Sequence, residues 1–245
     1  MATETDRRST EERAQVNFEA LRQNPYPGRG IVMGRSTEGL QIQVYWVMGR
    51  SENSRNRLLV VKDDVVKTVP FDESKVKDPS LIIYNAMRRV GGFHVVSNGD
   101  QTDTIAEYLE NMHPASFRSA LQTREFEPDA PNYTSRISGL MFMNDNYGDL
   151  SIIRRNAEGK SAHSFYTPNL TEIKGVGLCV HTYANDGDPI PQFEGNPYPV
   201  PLKGSVEEIA SAYWDVLNAQ NRVALVVKRI GPMHDQVQYA VRNVF

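Results

Sequence analysis

Residues 81–103 read LIIYNAMRRVGGFHVVSNGDQTD. Two apolar runs, Leu81–Met87 and Phe93–Ser97, flank the basic pair Arg88-Arg89 and the pair Gly91-Gly92. This pattern predicts two short strands joined by a tight turn. Asn98-Gly99 breaks the second strand, and Asp100-Gln101-Thr102-Asp103 opens a helical stretch over Thr104–Asn111. Glycine tolerates φ > 0, and Asp or Thr can cap the free amides of a first turn. A strand that stops at Ser97-Asn98-Gly99 and passes into a helix aims backbone N–H groups at one spot. Such a spot suits a phosphate or an oxyanion. The same pattern is also ordinary loop chemistry.

On the N-terminal side, hairpins dominate. A strand Gly30–Gly34, a turn at Ser36-Thr37-Glu38-Gly39 and a return strand Leu40–Met48 are expected. In the return strand Ile42, Val44, Trp46 and Met48 alternate with Gln41, Gln43, Tyr45 and Val47, which predicts one apolar face against a core. Leu58–Val61 and Val65–Val69 form another hairpin around Lys62-Asp63-Asp64, followed by a charged loop, 71–80. Before all of these, residues 1–8 are expected to be disordered. Ser9 with Glu12 offers a capping box for a helix over about 10–22, with Ala14, Phe18 and Leu21 on one face.

On the C-terminal side, Pro114 at a first helical position starts a helix to about Arg124, with Phe117 and Leu121 on one side. Residues 125–136 form an irregular connection, and strands are expected at 136–143, 149–155, 162–167 and 174–184. A proline-rich loop covers 186–201. Ser205 with Glu208 caps a helix to about Asn218, and strands 222–230 and 236–243 close the chain. Strands in hairpins with grouped helices define an α+β fold with antiparallel sheets.

Composition bounds the function. The 245 residues are 40% hydrophobic, enough for a sizeable core, and the net charge of −3 gives no general pull towards nucleic acid or an anionic membrane. No apolar run approaches the roughly 20 residues that span a bilayer, and no secretory h-region is visible. The single cysteine, Cys179, lies in an apolar strand and reads as a buried thiol that fits a reducing cytoplasm. His94, His113, His163, His181 and His234 show no paired metal-ligand spacing, so no metal is expected. Asp186-Gly187-Asp188 reads as turn chemistry rather than a metal site.

Residues 49–57, GRSENSRNR, place three arginines among Ser and Asn at a strand end. A solvated basic loop is one reading. An anion site is the other, because guanidinium forks match phosphate oxygens and each charge-assisted bond contributes roughly 1.5–3 kcal/mol. Arg29, one strand earlier, joins Arg50, Arg55 and Arg57 if the hairpin pairs as drawn. Tyr84, near the end of an apolar run, reads as a core tyrosine with a satisfied hydroxyl.

The strings YNAM (84–87) and VVSNGDQTD (95–103), with NPYPGRG (24–30), YWVMGRSENSRNR (45–57) and PNYTSRI (131–137), resemble the archaeal-type IMP cyclohydrolase family. A weaker echo lies at GVGLCVHTY (175–183). The resemblance spans roughly residues 24–245, leaving 1–23 as an N-terminal extension with a helix and 24–245 as one domain. It implies a four-layer αββα sandwich of two antiparallel sheets between helical layers, the N-terminal-nucleophile hydrolase fold. Hydrolases of that fold expose a processed N-terminal Cys, Ser or Thr. Met1-Ala2 and Tyr26-Pro27-Gly28-Arg29 offer none, so neither autoprocessing nor an acyl-enzyme is expected.

The implied reaction closes 5-formamidoimidazole-4-carboxamide ribotide to IMP with loss of water, without a cofactor. The resemblance raises Tyr84 to an active-site residue and places Glu127 near the family's active-site glutamate. Arg50 and Tyr84 then polarise the formyl oxygen, and Glu127 orients the carboxamide or moves its proton. Arg29, Arg55 or Arg57, with Ser97, Asn98 and Gly99, bind the ribose phosphate. Asn85, Asp103 and Arg136 complete the pocket. The expected partner is a small purine ribotide, with homo-oligomer contacts open. A non-catalytic purine-nucleotide binder and an amidohydrolase acting on a related ribotide are the competing readings.

Overall fold

In the computed structural model, residues 3–76, 79, 82–111, 116–143, 145–233 and 236–245 are described. The chain runs α1 (Glu4–Gln23), β1 (Gly30–Arg35), β2 (Gln41–Met48), α2 (Glu52–Arg55), β3 (Leu58–Lys62), β4 (Val65–Val69), β5 (Asn85–Val90) and β6 (Phe93–Ser97). It continues α3 (Gln101–Glu110), α4 (Ser116–Gln122), β7 (Arg136–Phe142), β8 (Gly148–Arg155), β9 (Ser161–Tyr166) and β10 (Val176–His181). It ends β11 (Tyr198–Pro201), α5 (Val206–Val216), β12 (Arg222–Ile230) and β13 (Val237–Asn243). The strands form two antiparallel sheets, ordered β11-β10-β1-β2-β12-β13 and β3-β4-β5-β6-β7-β8-β9.

Three apolar layers separate four structural layers. Alternation along each strand divides the side chains between them. Ile42, Val44, Trp46 and Met48 of β2 pack with Phe18 and Leu21 of α1 and Ile209 and Tyr213 of α5. Tyr45 and Val47 face the other way, with Ile31 and Met33 of β1, onto Val96, Ile137 and Met141 of the second sheet. The outer face of that sheet, Val95, Leu140 and Ile153, carries Ile105 and Leu109 of α3 and Phe117 and Leu121 of α4. The architecture is the expected α+β sandwich. Each fully buried aliphatic side chain in these layers contributes on the order of 2 kcal/mol.

Several local expectations change. β2 is buried on both faces rather than one, because a helical layer covers the side opposite the second sheet. The first helix begins at Glu4, so residues 4–8 are helical. Its capping box is Thr3 with Asp6, not Ser9 with Glu12. Arg88 and Arg89 lie inside β5, and the turn is Gly91-Gly92 alone, with Val90 opposite Phe93. Gly91 has φ +55° and supplies the left-handed backbone that such a hairpin needs. β11 lies inside the presumed proline-rich loop; Pro199 and Pro201 are tolerated because β11 is an edge strand. Leu81 of the first apolar run and Pro114 lie outside the described residues, as do His113 and His234. Cys179 is buried as expected, and burial pushes its thiol up to about 12.

Candidate active site

Antiparallel order decides which segments meet. β1 begins, β2 ends, β3 begins and β10 ends at the same edge of the sandwich. Arg29 precedes β1, Arg50 follows β2, Arg57 precedes β3, and Thr182 and Tyr183 follow β10. The irregular connection before β7 brings Glu127, Asp129 and Asn132 to them. Apart from Thr182, these side chains line, together with Tyr26, Asn53 and Ile190, a cleft of about 430 Å³. Gly28 (φ +74°) sets up the approach: a Cβ there would lie 2.2 Å from Thr182 Oγ1 and 2.5 Å from the Tyr183 ring. Thr182 Oγ1 in turn accepts from the Arg29 amide at 3.1 Å.

Inside the cleft, Arg29 Nη2 donates to Glu127 Oε2 at 2.6 Å, and both side chains are buried. Burial pushes the Glu127 carboxyl up, and the Arg29 guanidinium opposes that rise. Asn98 Nδ2 donates to the other oxygen, Oε1, at 3.3 Å. The Asn98 amide is itself held by the Ser135 carbonyl (2.9 Å), Gln101 Nε2 (2.9 Å) and the Ile137 amide (2.8 Å). Asn98 is therefore a brace for Glu127 and does not line the cleft.

The arginine loop folds into α2, whose capping box pairs Ser51 and Ser54 reciprocally. That short turn separates Arg55 from Arg57. Arg55 points away, donating to the carbonyls of Gly49 (3.3 Å) and Gln220. Arg57 lines the cleft; its Nε donates to the Ser54 carbonyl at 2.8 Å, and no carboxylate pairs with it among the described residues. Arg50 sits at the rim, stacked 5.1 Å over the Tyr26 ring, and donates to Asp186 and to the Gly187 carbonyl (2.9 Å). Tyr84 lies one layer below. Its hydroxyl meets Tyr45 at 2.7 Å, and it is part of the inter-sheet core.

The remaining candidates lie on the other face of the second sheet. Tyr84 and Asn85 are adjacent, so alternation sends them apart. Asn85 Nδ2 donates to Asp103 at 2.9 Å, and Arg88 donates to the same carboxylate. Ser97 Oγ meets Thr102 and the Gly99 carbonyl. Arg136 Nη1 donates to Asp100 (2.8 Å) and Gln101 (2.7 Å). Asp100, expected to cap α3, makes no side-chain cap and pairs instead with Arg124 and Arg136. Gly99 passes so close to this network that a Cβ would lie 2.7 Å from Arg136 Nη1. The structure thus gathers Arg29, Arg50, Arg57 and Glu127 in the cleft. It leaves Arg55, Asn85, Ser97, Asn98, Gly99, Asp103 and Arg136 outside its lining, and Tyr84 beneath it.

Sequence reasoning passed over Asp129, Thr134 and Tyr183. Thr134 Oγ1 is hydrogen-bonded to both Asp129 Oδ2 and the Tyr183 hydroxyl, and the Thr134 amide donates to Asp129 Oδ1 at 2.6 Å. Tyr183 stacks on Tyr26 with ring centroids 5.7 Å apart. The strings PNYTSRI and GVGLCVHTY carried the signal, the first containing Thr134 and the second Tyr183.

Fold and cleft together define a class of protein: a four-layer sandwich with a buried carboxylate and several guanidinium groups around one small cleft. The profile of a family described as IMP cyclohydrolase-like protein matches residues 26–234, and the chain belongs to that family. It is 32% identical over 193 residues to the IMP cyclohydrolase of Haloquadratum walsbyi, covering 78% of this chain and 84% of that one. The IMP cyclohydrolases of Methanopyrus kandleri and Methanocaldococcus jannaschii are 35% and 31% identical over 115 and 122 residues. Those alignments cover 46% and 50% of this chain and 57% and 59% of the relatives.

Proposed function

We infer that the chain is an IMP cyclohydrolase, closing 5-formamidoimidazole-4-carboxamide ribotide to IMP in purine biosynthesis. The buried Arg29–Glu127 pair, facing Arg57 across one cleft in a chain of this family, carries the reading.

Nucleophile and electrophile belong to one molecule, so holding the reactive rotamer removes much of the barrier. Arg57 anchors the phosphate, with Arg50 turning from Asp186 to the anion at the rim. Arg29 stabilises charge developing on the formyl oxygen in a site shielded from water. Tyr84 and Tyr45 support Arg29 from below. Glu127, held at both oxygens, takes the proton of the attacking carboxamide nitrogen and returns it to the formyl oxygen. Asn98 braces Glu127, and Asn85, Ser97, Gly99, Asp103 and Arg136 fix the turn from β6 into α3 on which Asn98 sits. The partner is a small ribotide, handled in the cytoplasm by a domain over 24–245. No helix among the described residues is long and apolar enough to cross a membrane.

Purified protein mixed with the formamido ribotide is expected to yield IMP. Glu127→Gln is expected to lower kcat about 100-fold, and Tyr84→Phe to slow turnover less. Unchanged rates in both variants would remove these roles. Saturable IMP binding without turnover would mark a non-catalytic binder, and amide hydrolysis without ring closure an amidohydrolase.

A further inference from the structure

The proton inventory of the ring closure asks for more than Glu127. Two protons end on the formyl oxygen as water. One comes from the carboxamide nitrogen that forms the new bond, the other from the formamide nitrogen that becomes doubly bonded to carbon. The hydrogen-bonded chain of Tyr183, Thr134 and Asp129 on the cleft wall has no part in the account above.

The geometry points to Tyr183 as a second catalytic residue, working through Thr134 and Asp129 as a proton relay for the dehydration half of the reaction. This assignment rests on the cyclohydrolase reading. Tyr183 and Asp129 both line the cleft, and Thr134, fully buried, joins them. Asp129 accepts from both the amide and the hydroxyl of Thr134, which fixes the direction of the chain: Thr134 donates to Asp129 and Tyr183 donates to Thr134. The relay therefore stands ready to take a proton up from the cleft. Tyr84 shows no such path among the described residues, where its hydroxyl meets only Tyr45 beneath the floor.

In the ring-closed carbinolamine, the formamide-derived nitrogen loses its proton to the Tyr183 oxygen. The phenol proton passes to Thr134 and that of Thr134 to the Asp129 carboxylate. The nitrogen electron pair forms the C=N bond, the C–O bond breaks, and the departing hydroxide receives a proton back through the same chain. Water leaves, and Tyr183, Thr134 and Asp129 return to their starting states. Burial holds the Tyr183 phenol above its ordinary range, so it stays protonated between turnovers and acts as a carrier rather than a standing base.

The test compares Tyr183→Phe, Thr134→Val and Thr134→Ser with the wild type, using steady-state IMP formation from the formamido ribotide and IMP binding by calorimetry. Tyr183→Phe keeps the ring stacked on Tyr26. The relay predicts that kcat falls about 100-fold in Tyr183→Phe and Thr134→Val. KM and IMP affinity should move less than about threefold, and Thr134→Ser should recover most of the loss. Wild-type kcat in Tyr183→Phe would overturn the relay, as would equal loss in Thr134→Ser and Thr134→Val. If the wild type forms IMP while these variants do too, the relay alone fails. If the wild type forms none, the cyclohydrolase reading fails and takes the relay with it.

Discussion

The cleft and the polar network beside α3 use the same residue types on opposite faces of one sheet. Both contain arginines, carboxylates and asparagine amides. In the network every named group meets protein: Arg136 holds Asp100, Gln101 and the Glu125 carbonyl, while Asn85 and Arg88 converge on Asp103. In the cleft, Arg57 is buried, only its Nε is committed among the described residues, and it faces open volume. A buried cation without a carboxylate costs stability. A cation kept beside an opening is free to meet an anionic ligand. Polar residues at strand ends mark a site only where their hydrogen-bonding capacity remains open.

The sharpest way to break this contrast is to compare the two arginines that flank α2. Arg57→Met is expected to raise KM for the ribotide about 30-fold, the loss of about 2 kcal/mol of charge-assisted bonding. Arg55→Met, which removes bonds to backbone carbonyls on the far side of α2, is expected to move KM less than about threefold. Equal effects in steady-state kinetics would erase the distinction between guanidinium groups committed to protein and those left open.

Lys228 sharpens the comparison from the other end of the sandwich. It is fully buried in the inter-sheet layer, and its Nζ has no hydrogen-bond partner among the described residues. Burial pushes its amine down to about 7 from 10.5. The unfolded chain therefore binds the extra proton between those values, so stability rises with pH from about 7 upward. Below about 7 both states are charged and the burial cost is present in full. Lys228→Met is expected to stabilise the protein by about 2 kcal/mol at pH 6 and to flatten the rise between pH 7 and 9. Thermal melts across that range check it; a destabilised variant at pH 6 would give Lys228 a partner role.

The smallest effect is on the network itself. Asp100→Ala strands Arg124 and Arg136, but the carboxylate is half exposed, so a loss of about 1 kcal/mol is expected. The two guanidinium groups, outweighing burial, hold the Asp100 carboxyl below its ordinary range. Its contribution is thus present above the ordinary carboxylate range and lost as pH falls through the lowered value. Urea titrations at pH 7 and pH 3 should show the variant's deficit shrinking in acid, with kcat/KM unchanged at pH 7. A large kinetic defect would move Asp100 into the site.

The hairpins and the α5 capping box were legible because alternation and Ser-x-x-Glu are local signals. The αββα layering came from resemblance, and the three apolar clusters bear it out. β11 was not legible, since Pro199 and Pro201 read as loop until an edge position excuses them. Within the site, Arg29, Arg50 and Glu127 were named from sequence, but Arg55 and Arg57 could not be separated without the four residues of α2 between β2 and β3. Asn85 was placed in the same pocket as Tyr84 by resemblance; the strand's period of two puts these neighbours on opposite faces. Asp129 did not stand out within the irregular connection 125–136, since nothing local announces that Thr134 joins it to Tyr183.

The central claim is that Glu127, fixed by Arg29 and Asn98, moves a proton in the ring closure of a ribotide anchored by Arg57. The direct measurement is a single-turnover mixing of excess wild-type enzyme, and of Glu127→Gln, with the formamido ribotide, following IMP. The account predicts rapid IMP formation by the wild type and a rate about 100-fold lower for a variant that still binds the ribotide. Equal single-turnover rates, or no IMP from the wild type, would contradict it.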